Sequence, residues 1–248
     1  MIGSSFLCNI CGSSAIFDPG ENWREDATCQ TCNSSVRSRQ MAHCITSNIL
    51  GRSVILSGLD LPHVQGIGLS DNSNLAHYLT RAFSYQNTYY HQEPLLDICR
   101  PSSRWIESVD FLLSSDVFEH VPSPVEKAFE GACKVLRPGG LLVLTVPCDA
   151  RAQTTEHFPN VRNFRILDFE SEWLLLGKTP EGAFEVHRDL IFHGGPGTTV
   201  ELRFFSENHV IKLLEDAGFH DIRVHKESVP EFGIFPPHHE GLPITARK

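Results

Sequence analysis

Two short cysteine pairs, Cys8-Asn9-Ile10-Cys11 and Cys29-Gln30-Thr31-Cys32, stand within the first 32 residues, with seventeen residues between them. A Cys-x-x-Cys turn brings two thiolates onto one ion, and two such turns complete a tetrahedral set of four sulfurs. The spacing implies a structural zinc site made by Cys8, Cys11, Cys29 and Cys32. A redox dithiol and a pair of disulfides are the competing readings. A redox pair needs no second copy, so the duplication favours metal. Four protein ligands leave no position for a substrate, so such a site folds its segment and does not catalyse.

The chain has 248 residues, enough for one domain plus a small module, and 41% of them are hydrophobic, which suits a real core. The other cysteines, Cys44, Cys99, Cys133 and Cys148, lie scattered in apolar surroundings. They read as free thiols of a reducing compartment. No basic-then-apolar leader and no run of about 18 apolar residues is present, so the expectation is a soluble cytoplasmic protein with no membrane contact. A formal net charge of −9 repels a phosphate backbone, which makes nucleic acid an unlikely partner.

Residues 1–50 read as the zinc-binding module and a linking helix over Val36–Leu50; residues 51–248 read as a second, larger domain. There, strand-like and helix-like segments alternate. Ser53–Leu56 and Gln65–Leu69 are short apolar runs, and Leu75, Ala76, Leu79, Ala82 and Phe83 give a helical face behind the capping residues Asp71 to Asn74. Asn87–Gln92 and Val109–Ser114 read as strands. Ser123-Pro124-Val125-Glu126 carries a Ser cap, Pro at the first helical position and Glu closing a capping box. Leu141–Val146 is apolar throughout, as a strand buried on both faces is. Phe184–Phe192 and Thr198–Phe205 are strand-like, Ser206 caps a helix that ends at Gly218, and Phe219–His225 alternates as a strand. The proline-bearing stretch 226–248 reads as an extended tail. Alternation of this kind implies an α/β, doubly wound, mostly parallel sheet, with its ligand crevice beyond the carboxyl ends of the strands.

The segment Asp116-Val-Phe-Glu-His-Val121, a helix, and Leu136-Arg-Pro-Gly-Gly-Leu-Leu-Val-Leu-Thr-Val-Pro147 resemble the fourth strand, following helix and fifth strand of class I S-adenosylmethionine-dependent methyltransferases of the type 11 kind. The resemblance covers residues 53–225, with Phe204–Val224 resembling the closing strand–helix–strand. The two-pair cysteine module resembles one found on some bacterial methyltransferase-like proteins. What this implies is a Rossmann-like methyltransferase fold with a small amino-terminal zinc module.

The resemblance also implies site residues. Gly66, Gly68, Ser70 and Asp71 match the glycine-rich loop after the first strand, keeping two of its glycines. Glu93 matches the acid that accepts from the ribose hydroxyls, and Asp97 the acid that meets the adenine amino group. Ser115, Asp116 and Val117 end the fourth strand and line the methionine side. His120, His157 and His193 are candidate bases, since imidazole titrates near neutrality and each falls near the expected crevice. The function implied is methyl transfer from S-adenosylmethionine to a small-molecule acceptor, on O, N or C. The alternatives are a methyltransferase-like protein without transfer activity and a zinc-guided RNA or protein methyltransferase. Residues 148–200, the least generic stretch, are expected to build the acceptor pocket. The oligomeric state is not legible.

Overall fold

A computed structural model of the chain describes residues 3–18, 20, 22–170, 172–193, 195–236 and 240–248. Gly194, in the turn-rich link after His193, and Pro237, in the tail, lie outside them. The cysteine segment holds a hairpin, β1 (Ser5–Leu7) against β2 (Ser14–Ile16). Helix α1 (Val36–Leu50) follows within the expected bounds. Ser35 caps it by accepting from the Ser38 N–H, and Gly51 ends it at φ 71°, a left-handed angle that glycine adopts without cost.

The large sheet is built from β3 (Leu61–Leu69), β4 (Phe83–Thr88), β5 (Val109–Ser115), β6 (Leu136–Thr145), β15 (His220–Val224) and β16 (Ile244–Arg247). Across it the order is β4-β3-β5-β6-β16-β15. The first four strands run parallel, and β16 is antiparallel to both of its neighbours. The chain leaves β3 toward β4, then returns to the other side of β3 as β5. That reversal puts a topological switch point at the carboxyl ends of β3 and β5, where open α/β sheets take ligands.

Helix α2 (Ser73–Ala82) joins α1 and the cysteine segment on one face, where Phe83, Tyr85, Phe111, Leu113, Leu141 and Val143 point. Helices α3 (Glu126–Val135) and α4 (Glu207–Asp216) cover the other, against Ile67, Leu69, Leu112, Leu142 and Leu144. Alternate residues of the Leu141–Leu144 part of β6 serve the two cores, which is why that part is apolar without a break. Between β6 and α4 the chain makes short strands: β7 (Cys148–Asp149), β8 (Thr155–Glu156), β9 (Asn163–Phe169), β10 (Glu172–Lys178), β11 (Phe184–His187), β12 (Phe192–His193), β13 (Thr199–Val200) and β14 (Arg203–Ser206). Among them β9, β10 and β11 form an antiparallel sheet, and β14 lies between β7 and β8.

Five local expectations are corrected. Ser53–Leu56 is not a strand: the Leu56 and Ser57 N–H groups bond to Asn9 O and Ile10 O, so this stretch braces the first cysteine turn. The second strand begins at Phe83, directly after α2 and ahead of the expected Asn87. Helix α3 begins at Glu126, because the Ser123 hydroxyl accepts from Arg203 (3.3 Å) instead of capping. Phe204 belongs to the small β14 sheet. The closing antiparallel strand is β16, taken from the proline-bearing tail.

Candidate functional site

The two cysteine turns are near copies of each other. Gly12 N–H donates to Cys8 O and Asn33 N–H to Cys29 O, each at 2.8 Å, and Cys8 N–H and Cys29 N–H donate to Ser13 O and Ser34 O. Cys8 and Cys32 sulfurs stand 3.7 Å apart, as do those of Cys11 and Cys29, and no disulfide forms. A tetrahedral ion with metal–sulfur bonds of about 2.3 Å spaces its ligands about 3.8 Å apart, so the quartet has the dimensions of a zinc site. A second observation agrees. Arg39 is fully buried, and among the described residues its guanidinium donates to four carbonyls, Phe232 O, Ser34 O, Ala27 O and Gly233 O, and to no carboxylate. Burial pulls its pKa down to about 10, against the opposing pull of the Cys8, Cys29 and Cys32 thiolates. A buried cation with no carboxylate partner fits beside an anionic thiolate cluster.

At the switch point the implied cofactor residues take varied positions. Gly66 and Gly68 lie inside β3, not in a loop. A Cβ on Gly66 would sit 2.1 Å from the Phe111 ring, and one on Gly68 would sit 1.7 Å from the Asp71 carboxylate and 1.8 Å from the Tyr85 hydroxyl. The missing side chains thus make room for aromatic rings from β4 and β5. Ser70 follows the strand, exposed, at φ 57°. Asn87 grips the Asp71 backbone on both sides at 2.9 Å, the Tyr85 hydroxyl donates to the Asp71 carboxylate, and burial pushes that carboxyl up to about 7. Glu93 points away, 77% exposed beside Arg104. Asp97 caps a turn, accepting from the Cys99 N–H and Arg100.

The end of β5 is covered by the cysteine segment. Arg24 and Arg37 both pair with Asp116, and Arg37 also reaches Ser115 (3.1 Å) and Glu25 (2.7 Å). Asp116 adopts φ 51°, with its N–H on Thr145 O and its carboxylate accepting from the Thr145 hydroxyl at 2.8 Å. Burial would push this carboxyl up; the two arginines hold it below its usual range. Val117 packs on the core behind it.

The three candidate bases, distant in sequence, meet. A turn of 3-10 helix after β5 presents Glu119 and His120. Backbone bonds then stitch the later segments onto it: Leu202 N–H to Glu119 O, His157 N–H to Leu202 O, and Glu201 N–H to Ile191 O. His157 Nε2 lies 2.8 Å from Glu201 Oε1, and His193 Nε2 lies 2.9 Å from Glu201 Oε2. His193 Nδ1 faces Glu119 Oε1 at 3.3 Å and His120 Nε2 faces it at 3.5 Å. The His120 Nδ1–H donates to Val200 O at 2.7 Å. Glu119 is wholly buried, and burial pushes its carboxyl up to about 7; contact with Glu119 and then Glu201 lifts His193. Burial lowers His120. Behind the cluster Arg203, 1% exposed, donates to Glu156, Phe118 O and Val121 O and locks the turn. Beside it His157, Phe158, His187 and Ile191 line a cavity of about 360 Å³. Glu201 and Arg203 were not singled out in the sequence. Their signal was two charges inside the apolar run Val200-Glu-Leu-Arg-Phe-Phe205.

Residues 75–144, from α2 through β6, match the family described as Methyltransferase domain. The stretch from α2 through β6 is thus similar to the domain of an enzyme family, the methyltransferases. Among solved structures the CurJ carbon methyltransferase is similar at 15% identity with a TM-score of 0.50, covering 86% of this chain and 55% of that one. The 1,6-didemethyltoxoflavin-N1-methyltransferase of Burkholderia thailandensis, solved with 1,6-didemethyltoxoflavin and S-adenosylhomocysteine bound, is similar at 15% identity and TM-score 0.46, covering 84% of this chain and 78% of that one. An S-adenosylmethionine-dependent methyltransferase from Clostridium acetobutylicum stands at 13% and 0.46, covering 86% and 89%. The likeness to the CurJ structure, at 15% identity, is a likeness of fold alone, here Rossmann-like. No curated protein matches the chain in sequence. No helix among the described residues is long and apolar enough to cross a membrane.

Proposed function

We propose that the chain methylates a small molecule with S-adenosylmethionine as methyl donor, and that Cys8, Cys11, Cys29 and Cys32 hold a structural zinc ion. The observation that carries the reading is the meeting of His120, His157 and His193 with two buried glutamates at the carboxyl rim of a methyltransferase-type sheet. The cavity of about 360 Å³ beside His157 is the size of a small-molecule pocket, and residues of the 148–200 stretch line it. The donor supplies an already activated methyl group, so the protein's task is placement more than activation. Glu201 holds His157 through Nε2, which leaves Nδ1 with the lone pair to take the proton that an O–H or N–H acceptor loses. Mutating a base that moves this proton costs roughly 10²- to 10⁴-fold in rate.

One observation favours a second reading, a methyltransferase fold without transfer. Arg24 and Arg37 occupy the rim at Asp116, so a cationic sulfonium ligand has to displace two guanidinium groups. Titration calorimetry with S-adenosylmethionine and S-adenosylhomocysteine, on the natural chain and on Arg37→Ala, separates the two. Binding, tighter in Arg37→Ala, supports transfer. Silence from both proteins with both ligands at millimolar concentration leaves the second reading.

A further inference from the structure

We propose that Glu119, His120 and His193 form a second metal site, for a divalent first-row transition ion, separate from the four-cysteine cluster. One potential ligand atom from each residue lies within 4.8 Å of those of the other two. The two edges that meet at the carboxylate are 3.3 and 3.5 Å. An ion with bonds of about 2.0–2.1 Å to nitrogen and oxygen sets tetrahedral neighbours about 3.4 Å apart, so the spacing suits coordination.

The surrounding bonds settle which ring nitrogens are free. His120 gives its Nδ1–H to Val200 O, leaving the Nε2 lone pair toward Glu119. His193 gives its Nε2–H to Glu201, which leaves Nδ1 toward the same oxygen. Metal-bound histidines are held in this way, with the second ring nitrogen donating to a carbonyl or a carboxylate. Glu201 is itself held by His157 at 2.8 Å, so the outer layer is closed. At the centre, neither oxygen of the wholly buried Glu119 accepts a hydrogen bond among the described residues. A buried carboxylate facing two imidazole nitrogens without hydrogen bonds is an arrangement one ion resolves at once. A single proton on His193 serves only one of the two contacts. Two nitrogens and one carboxylate select zinc, cobalt or iron(II) over magnesium or calcium, and three protein ligands leave a position open for water or an acceptor oxygen. The cysteine cluster offers neither nitrogen ligands nor an open position.

The test is a metal count on the intact chain. Metal-depleted protein is titrated with zinc chloride against a chromophoric chelator, and separately with cobalt(II). The expected result is two ions per chain. The first gives the thiolate-to-cobalt charge-transfer band and is lost in Cys29→Ser. The second adds only the weak bands of nitrogen and oxygen ligands, and it is lost in Glu119→Gln and His193→Ala with the charge-transfer band intact. Glu201→Gln should weaken the second ion by about 10- to 100-fold as an outer-layer change. One ion per chain in the natural protein, with no cobalt band beyond the thiolate signal, overturns the proposal and leaves a proton between Glu119 and His193. That result bears on the ion alone, since methyl transfer through His157 does not require it.

Discussion

Arg39→Leu is the substitution whose cost the structure sets most directly. The guanidinium makes four hydrogen bonds, of 2.9, 2.7, 3.0 and 3.0 Å, and lies 4.4 Å from the Phe6 ring centroid. Two acceptors, Ala27 and Ser34, belong to the cysteine segment, and two, Phe232 and Gly233, to the segment before β16. Leucine fills similar space but leaves three buried carbonyls, those of Ala27, Phe232 and Gly233, without donors, while Ser34 O keeps the Cys29 N–H. At about 1 kcal/mol each, the low end for a stranded buried group, the loss is about 3 kcal/mol. For a chain of this size each kcal/mol moves Tm by roughly 2–4 °C, so a fall of roughly 6–12 °C is expected by differential scanning calorimetry. Zinc affinity should fall as well, because the thiolate cluster loses its counter-charge. Arg39→Lys keeps the charge and loses the fork, so it should recover metal affinity more than Tm. A Tm drop below about 4 °C with zinc affinity unchanged would refute both the bonding and the counter-charge reasoning.

Stripping zinc with a chelator, or making Cys29→Ser, should open the segment before α1 to protease while β3 to β6 stay protected; equal protection with and without chelator removes the metal from the account. Gly131→Ala should destabilise by about 1–3 kcal/mol in urea melts, although alanine is the better helix former by about 1 kcal/mol, because the new Cβ would sit 1.6 Å from the Ile98 carbonyl oxygen. A more stable variant would mean that α3 packs less closely than described. Asp71→Asn tests the buried carboxyl. The folded pKa of Asp71, about 7, lies above its ordinary 3.8, so the natural chain binds more protons folded than unfolded between those values and loses stability as pH rises through them. The stability gain of Asp71→Asn should therefore grow between about pH 4 and 7 and level off above; a flat difference shows that the carboxyl ionises freely.

The sequence carried the parts of this molecule that are local. Cys-x-x-Cys spacing, the α2 face of Leu75, Ala76 and Leu79, the unbroken Leu141–Leu144 run within β6 and the Ser206 cap are each written within a few neighbours. Three histidines could be marked as candidates one at a time. That they meet was not legible, because the meeting depends on Leu202 and Glu201 backbone bonds to residues far apart in the chain. Ser123 misled for the same reason: its hydroxyl belongs to Arg203, a partner no local pattern announces. Gly66 and Gly68 read as loop residues, yet the space they leave is filled by Phe111, Asp71 and Tyr85 from neighbouring elements. Strand β16 was hidden because its proline-bearing approach masks a four-residue strand whose pairing is entirely long-range.

That strand lies between β6 and β15, so among the described residues β15 has no hydrogen-bonding neighbour in the sheet except β16. During vectorial synthesis the sheet can grow from β3 through β6 while the chain emerges, but α4 and β15 must wait, unfastened, until residues 244–247 arrive. The exposed edge of β6 is then an open invitation to the wrong strand, and a ribosome pausing ahead of Ile244 would prolong that exposure.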